Sequence, residues 1–517
     1  MGDEPTELGQ AKSEILSLIQ GNNFAEAEAE IQQFIVDFPK DESAAKTLDN
    51  IAQQYQMAEQ YDKAIELSQY VLGNYPWTDW SVWLQMRLVV CNILLGKDSL
   101  AQENIKKLTS EYSNDPNLPK TLYILAEQYR LSWRYEEAKE LYQLIIEQHP
   151  DSLYADKAEF GLLTTKTAQA GLSLIESGNG EKAQDSVEDL AVDFEDKSEL
   201  AMVFNNFALR YEELDKYAEA KKLYQEIIWR WPDSLEAERA PLDVQRMDIL
   251  SFVQAEDANY ANVLFDKFVA DFNGNPHLAS SMVLTAEGWY RKAFKLADEG
   301  SDAQSEKYYR KAIDISGAMA EKFPGSREVP NAYYLICQCY HDLGEYEKIL
   351  PYLQKILDGW PDFKYAWSVP AWIGECYENL RNSGKMPESE ANPKIKQAYR
   401  MLIEKYPDCS LVGHACLKLA RLSSKENRPT DEVVYLELFM EKRPSDPRVP
   451  RVMFKLGRTY EEMGQLDLAW GTYVRFIERD PNHPLVETLW NKLEKLAGST
   501  PSTGSGRTSS LQKGVEK

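Results

Sequence analysis

The sequence predicts an all-α solenoid of about twelve helix pairs, and three observations carry that prediction. The first is a punctuation, usually an aromatic residue followed by proline: Phe38-Pro39, Tyr75-Pro76, Trp231-Pro232, Phe323-Pro324, Trp360-Pro361 and Tyr406-Pro407. His149-Pro150 puts an imidazole before the proline, Arg443-Pro444 and Asp480-Pro481 keep the proline without an aromatic ring, and degenerate copies lie near Ser113, Glu195 and Asn273. The second is spacing, because the steps from 39 to 76, 324 to 361, 407 to 444 and 444 to 481 are each 37 residues. The third is the recurrence of apolar residues at intervals of three and four between the prolines, which is the period of a helix. A unit of this size buries its apolar face only by stacking on its neighbours, so function is to be sought along a surface and not in a pocket.

The unit closing at Pro481 shows how one repeat is built. Leu456, Gly457 and Tyr460 share one helical face; Ala469, Tyr473 and Phe476 share another. Between them Gly464 suits the left-handed conformation that ends a helix. Gly457 and Ala469 let the two helices approach closely, while Tyr460, Tyr473 and Phe476 fill the space around them. Pro481 then prevents the second helix from continuing. Leu125, Ala126, Tyr129, Ala138, Tyr142 and Ile145 hold the same positions before Pro150, and Phe207, Ala208, Tyr211, Ala220, Tyr224 and Ile227 hold them before Pro232.

This recurring set resembles the tetratricopeptide repeat, and the resemblance runs over about residues 8–495. It implies a right-handed superhelix of about twelve such helix pairs, with a groove lined by the first helix of each pair. The period departs from the family's usual 34 residues. The three extra residues follow the proline, as in Pro150-Asp151-Ser152 and Pro232-Asp233-Ser234, where Asp or Ser suits an N-cap and would start the next helix a turn early. This long form is similar to that of bacterial cell-envelope repeat proteins, including the outer-membrane assembly lipoprotein and the Tol-Pal-associated coordinator.

The array is expected over residues 1–497, with extended repeats near 156–195, 277–324 and 366–407. Thr164 to Gly178 and Ala286 to Glu299 read as lengthened first helices, and Asn382 to Ser389 reads as a polar loop. Residues 498–517, rich in Ser, Gly and Thr, read as a disordered tail or linker.

Acidic side chains outnumber basic ones 83 to 58, a formal charge of −25. That charge repels phosphate backbones and anionic lipid, so nucleic acid is not expected as a partner. No apolar run reaches the roughly 18 residues of a membrane span. The N-terminus as written lacks a signal-peptide pattern and the cysteines show no pairing pattern, which favours cytoplasm; the envelope resemblance favours periplasm, with an export signal removed.

The six cysteines include no Cys-x-x-Cys pair and read as small buried hydrophobes. The five histidines are scattered among different repeats, and neither a phosphate loop nor a nucleophile elbow is present. Acidic pairs such as Glu136-Glu137, Glu212-Glu213 and Glu461-Glu462 read as solvated helix faces. The residues therefore offer no catalytic centre, metal site or cofactor, and the chain is read as a non-enzyme.

What remains is the groove that the resemblance implies. Carried over to this sequence, its lining includes Trp83 and Met86, with Trp77 and Trp80 close by, then Tyr123, Arg130, Asn205, Tyr334 and His341. Residues 411–460 hold ten Lys or Arg against six Asp or Glu. Arg421, Lys425, Arg451 and Arg458, beside Phe454, would suit an acidic peptide, since Arg makes bidentate contacts to carboxylates. The same charges also read as solvated helix faces, and the tryptophan cluster as packing between repeats. The function expected is a protein-interaction scaffold or adaptor that binds peptide segments or partner domains. Alternatives are a regulatory or sensing subunit of an enzyme assembly and a solenoid that binds a small ligand. The sequence does not set the oligomeric state.

Overall fold

A computed structural model describes residues 7–21, 23–38, 42–75, 81–193, 200–361, 363–407 and 409–498. The expectations placed on Pro39, Pro76, Trp77, Trp80, Glu195 and the tail from 499 onward lie outside these residues. The described residues form 25 α-helices and no strand, and the chain divides into two compact units, Met1–Phe272 and Asn273–Lys517.

The first unit is a run of helix pairs: α1 (Glu7–Gln20) with α2 (Phe24–Asp37), α3 (Glu42–Met57) with α4 (Tyr61–Asn74), α5 (Ser81–Leu94) with α6 (Asp98–Glu111), and α7 (Leu118–Leu131) with α8 (Tyr135–Gln148). It continues with α9 (Ala155–Glu176) and α10 (Gly180–Asp193), α11 (Leu200–Glu213) and α12 (Tyr217–Arg230), and α13 (Leu235–Gln254) and α14 (Ala258–Asp271). The second unit pairs α15 (Leu278–Asp298) with α16 (Asp302–Lys322), α17 (Val329–Asp342) with α18 (Tyr346–Gly359), and α19 (Val369–Asn382) with α20 (Glu388–Lys405). Then come α21 (Val412–Lys425) with α22 (Pro429–Lys442), α23 (Val449–Glu462) with α24 (Leu466–Arg479), and a lone α25 (Val486–Gly498). Within each pair the two helices pack on each other, most second helices pack on the first helix that follows, and first helices also touch across repeats, as α5 does α7 and α15 does α17. Each unit is thus an α-solenoid.

From α3/α4 to α23/α24, the turn inside each pair has one left-handed residue. Gly344 and Gly464 hold φ of 69° and 73° there. The Gly464 N–H donates to the Glu461 carbonyl and the Gln465 N–H to the Tyr460 carbonyl, both at 2.9 Å, so the last carbonyls of α23 are satisfied. Glu59, Trp133, Asp215, Glu256 and Asn427 take the same role with φ between 55° and 65°, at a steric cost that glycine avoids.

The core is built in slices, as expected. One slice gathers Val82, Tyr129 and Tyr142; another gathers Leu419, Phe439, Tyr473 and Phe476. Cys91, Cys337, Cys339, Cys376 and Cys416 are buried as free thiols, and Cys409 is half-buried.

Several expectations change in detail. The lengthened first helices are α9, with 22 residues, and α15, with 21, yet α13 and α16 are also long, with 20 and 21. The polar loop is shorter than read, because α20 starts at Glu388 and takes up the last residues assigned to it. Of the two Pro-Asp-Ser caps, Ser234 accepts a hydrogen bond from the Ala237 N–H, whereas α9 begins at Ala155 with no side-chain cap.

Candidate functional site

On an amphipathic first helix such as α23, the apolar stripe packs into the core and the opposite face is left to solvent or ligands, whereas α5 is buried on most sides. Not every residue carried over to that face is free to bind. Trp83 and Met86 are half-buried against the core of the first unit, on a helix whose surroundings bury Val82, Leu84, Arg87 and Val89. The Lys120 ammonium sits 5.1 Å from the Trp83 ring. Tyr123 packs between the rings of Tyr142 and Tyr154, at centroid distances of 6.0 and 5.6 Å. Asn205 is half-buried on α11.

Arg130 was expected on the binding face and is instead only 4% exposed. Its guanidinium pairs with Glu127, and the same carboxylate accepts the Tyr142 hydroxyl. A cation used in this way holds helices together and is not available to a ligand.

In the second unit, Tyr334 and His341 belong to a ladder of rings. Tyr334 stacks between Tyr365 and Trp372, at 4.9 and 5.0 Å with interplanar angles of 24°, and His341 stacks on the other side of Trp372 at 6.0 Å. These rings are therefore engaged with one another. His341 Nδ1 lies 3.1 Å from Asp342 Oδ1, and that hydrogen bond raises the imidazole pKa despite partial burial, which acts the other way.

The basic section resolves into two groups. Lys418 pairs with Glu378 at 2.5 Å, Arg428 with Asp431 at 3.0 Å, Arg448 with Asp446 at 2.7 Å and Lys455 with Glu432 at 3.0 Å. By contrast Arg421 and Lys425 on α21 and Arg451 on α23 are exposed and make no ion pair among the described residues. Arg458 is exposed and only grazes Glu462, at 3.5 Å. Phe454 is half-buried, 6.4 Å from the Tyr473 ring, and Leu417 is half-buried one repeat earlier. Residues 417 and 454, and 421 and 458, are each one period of 37 apart, so the two helices share an apolar and a cationic column; one period before Arg451 stands His414, whose pKa burial lowers.

Charge is unevenly shared between the two units. Residues 1–272 hold 50 acidic and 24 basic side chains, whereas residues 273–517 hold 33 and 34. The free cations of α21 and α23 thus lie in the half of the chain where no acidic excess offsets them.

The sequence reading missed a recurrent ion-pair linkage between the first helices of successive repeats, buried in one instance and half-buried in others. In the first unit Arg246 of α13 is 1% exposed and grips Glu212 of α11, with Asp243 2.7 Å away on its own helix. Tyr224 donates to the same Glu212 at 2.5 Å. Burial alone would lower the arginine's pKa, but Glu212 and Asp243 outweigh it and keep the group charged. In the second unit Lys492 pairs with Glu461 at 2.8 Å, and Lys418 with Glu378. The reading of Glu212 and Glu461 as solvated is therefore corrected; Glu136, Glu213 and Glu462 do face solvent. The only available signal was a tyrosine 12 residues after Glu212 or Glu461.

Among the described residues no three His, Cys, Asp or Glu side chains group as metal ligands, and no helix is long and apolar enough to cross a membrane. The exposed faces present guanidinium and ammonium groups and scattered apolar side chains.

Comparison with known proteins bears on the repeat itself. A family model described as tetratricopeptide repeat matches residues 120–152, 208–234 and 451–483. Three helix pairs of the chain match the tetratricopeptide repeat. The matched segments are the α7/α8, α11/α12 and α23/α24 pairs, and each closes on its proline. No curated protein matches the chain significantly. Among solved structures, a tetratricopeptide repeat protein from Parabacteroides merdae is 14% identical over 54% of this chain and 99% of its own, with a TM-score of 0.33. The Cut9–Hcn1 hetero-tetramer of the APC/C is 12% identical over 94% and 96%, with a TM-score of 0.25. A thermophilic repeat protein from Thermus thermophilus is 15% identical over 39% and 95%, with a TM-score of 0.23. Likenesses at these TM-scores carry no argument about what the repeats of this chain bind.

Proposed function

We propose that the chain is a non-enzymatic scaffold that holds an acidic segment of a partner protein against α21 and α23. Tetratricopeptide repeats support an interaction scaffold in general. The observation that carries the finer reading is the exposed trio Arg421, Lys425 and Arg451, free of ion pairs among the described residues, beside Lys418, Arg428, Arg448 and Lys455, which are engaged.

A single exposed ion pair contributes about 0.2–1 kcal/mol, so charge alone does not make a tight site. Its role here is orientation and speed of encounter, since complementary charge steers association. Leu417, beside Arg421, and Phe454, between Arg451 and Arg458, supply the apolar burial that gives the complex its lifetime.

The test is titration of the full chain with a fluorescent Glu-rich peptide and with its Gln-substituted counterpart. The proposal expects binding of the acidic peptide only, weakened by added salt and by Arg421→Glu with Arg451→Glu. Equal binding of both peptides, or indifference to the substitutions, overturns it.

A further inference from the structure

A second basic feature lies on other helices. A cleft of about 600 Å³ opens along α20 and the turn that starts α22, walled by Lys396, Arg400, Lys405 and Arg428 against a single carboxylate, Glu404. Neither α21 nor α23 contributes to it, so it is separate from the peptide face.

The donors in this cleft are held but not exhausted. Arg400 donates through Nε to the Tyr435 hydroxyl at 2.7 Å, which fixes the plane of its guanidinium. Arg428 gives Nε to Asp431 at 3.0 Å. Each arginine keeps its Nη groups without a partner among the described residues, and so do the Lys405 ammonium and the Gln397 amide in the same wall. Lys396 spends its charge on Glu426. With Glu426 and Asp431 counted beside the wall, the balance stays positive, four cations to three carboxylates.

We propose that this cleft binds a small anion through a phosphate group, with Arg400 and Arg428 as the principal ligands and Lys405 beside them. A volume of this order holds a metabolite-sized molecule. Guanidinium forks match phosphate oxygens bidentately, and an ammonium adds a point charge. The donors come from two elements, the body of α20 and the entry to α22, and a tetrahedral phosphate presents acceptors in several directions, where a planar carboxylate presents two in one plane. The flanking carboxylates cap the charge the cleft accepts, which favours one or two phosphates over a polyanion.

The experiment is calorimetric titration of the full chain with inorganic pyrophosphate, run beside co-sedimentation with phosphatidate vesicles. Saturable binding is expected at one site, at least tenfold weaker in Arg400→Gln with Arg428→Gln, and unchanged in Arg421→Glu with Arg451→Glu. Circular dichroism checks folding; if the double variant is unfolded, Lys405→Glu replaces it and is expected to weaken binding several-fold. Vesicle binding that the cleft variant abolishes, without pyrophosphate binding, assigns the phosphate to a lipid headgroup and overturns the small-molecule reading. No binding in either arm, or equal loss in both sets of variants, overturns the cleft altogether. Because the peptide titration uses α21 and α23, its failure and this one are read independently.

Discussion

The Arg246 guanidinium, buried in the first unit, donates through Nη2 to Glu212 Oε1 at 2.8 Å and so ties α13 to α11 across a repeat boundary. Removing one member of such a pair leaves a buried charge without compensation, which costs about 3–5 kcal/mol, whereas replacing the group by an apolar set of similar volume costs far less. Arg246→Met is therefore expected to shift the urea midpoint strongly downward. Arg246→Met with Glu212→Gln and Asp243→Asn is expected to recover much of the loss. If the triple variant is as unstable as the single, the linkage is not what the charge contributes.

A methyl group added at Gly457 would stand 2.2 Å from Tyr473 Cε1, so the first helix of that repeat can approach the second only because the residue has no side chain. Gly457→Ala is expected to destabilise the second unit by about 1–3 kcal/mol through overpacking. Gly471, on the next helix, has nothing within 4 Å of such a methyl. Gly471→Ala should be stabilising by up to about 1 kcal/mol, from helix propensity alone. Thermal melts of the two variants separate a packing cost from a backbone effect.

Asp342 raises the His341 pKa above its ordinary 6.5. A histidine held above its unfolded value adds stability that is complete below that unfolded value and is lost as pH rises through the folded one. Glu375, reaching from α19, acts in the same direction as Asp342, while the stacked Trp372 and edge-on Tyr346 surround the ring. The gap in melting temperature between the natural chain and His341→Gln should be wider near pH 5.5 than near pH 8.5. A gap that does not change with pH contradicts this account.

Much of the architecture was legible because it is written locally. Proline after most second helices, glycine or another left-handed residue in the turns from α3/α4 onward, and small residues at positions such as Gly457 and Ala469 all act within one repeat. What was not legible depends on partners in another repeat. Glu461 meets Lys492 after 31 residues, Glu212 meets Arg246 after 34 and Glu378 meets Lys418 after 40, so no fixed spacing marks the linkage. Arg130 illustrates the consequence for the site: its place on the repeat is that of a groove residue, yet Glu127 and Tyr142 draw it into the core. The excess of basic residues in 411–460 was visible by counting, but which of those cations stay free depends on carboxylates as far away as Glu378.

The most direct test of the scaffold account compares the natural chain with Arg421→Glu/Arg451→Glu/Arg458→Glu as baits in the source cell's lysate, with mass spectrometry of what each retains. The account predicts a partner with an acidic segment that the natural chain holds and the charge-reversed chain releases, both baits giving the same circular dichroism spectrum. Identical sets of retained proteins would contradict it.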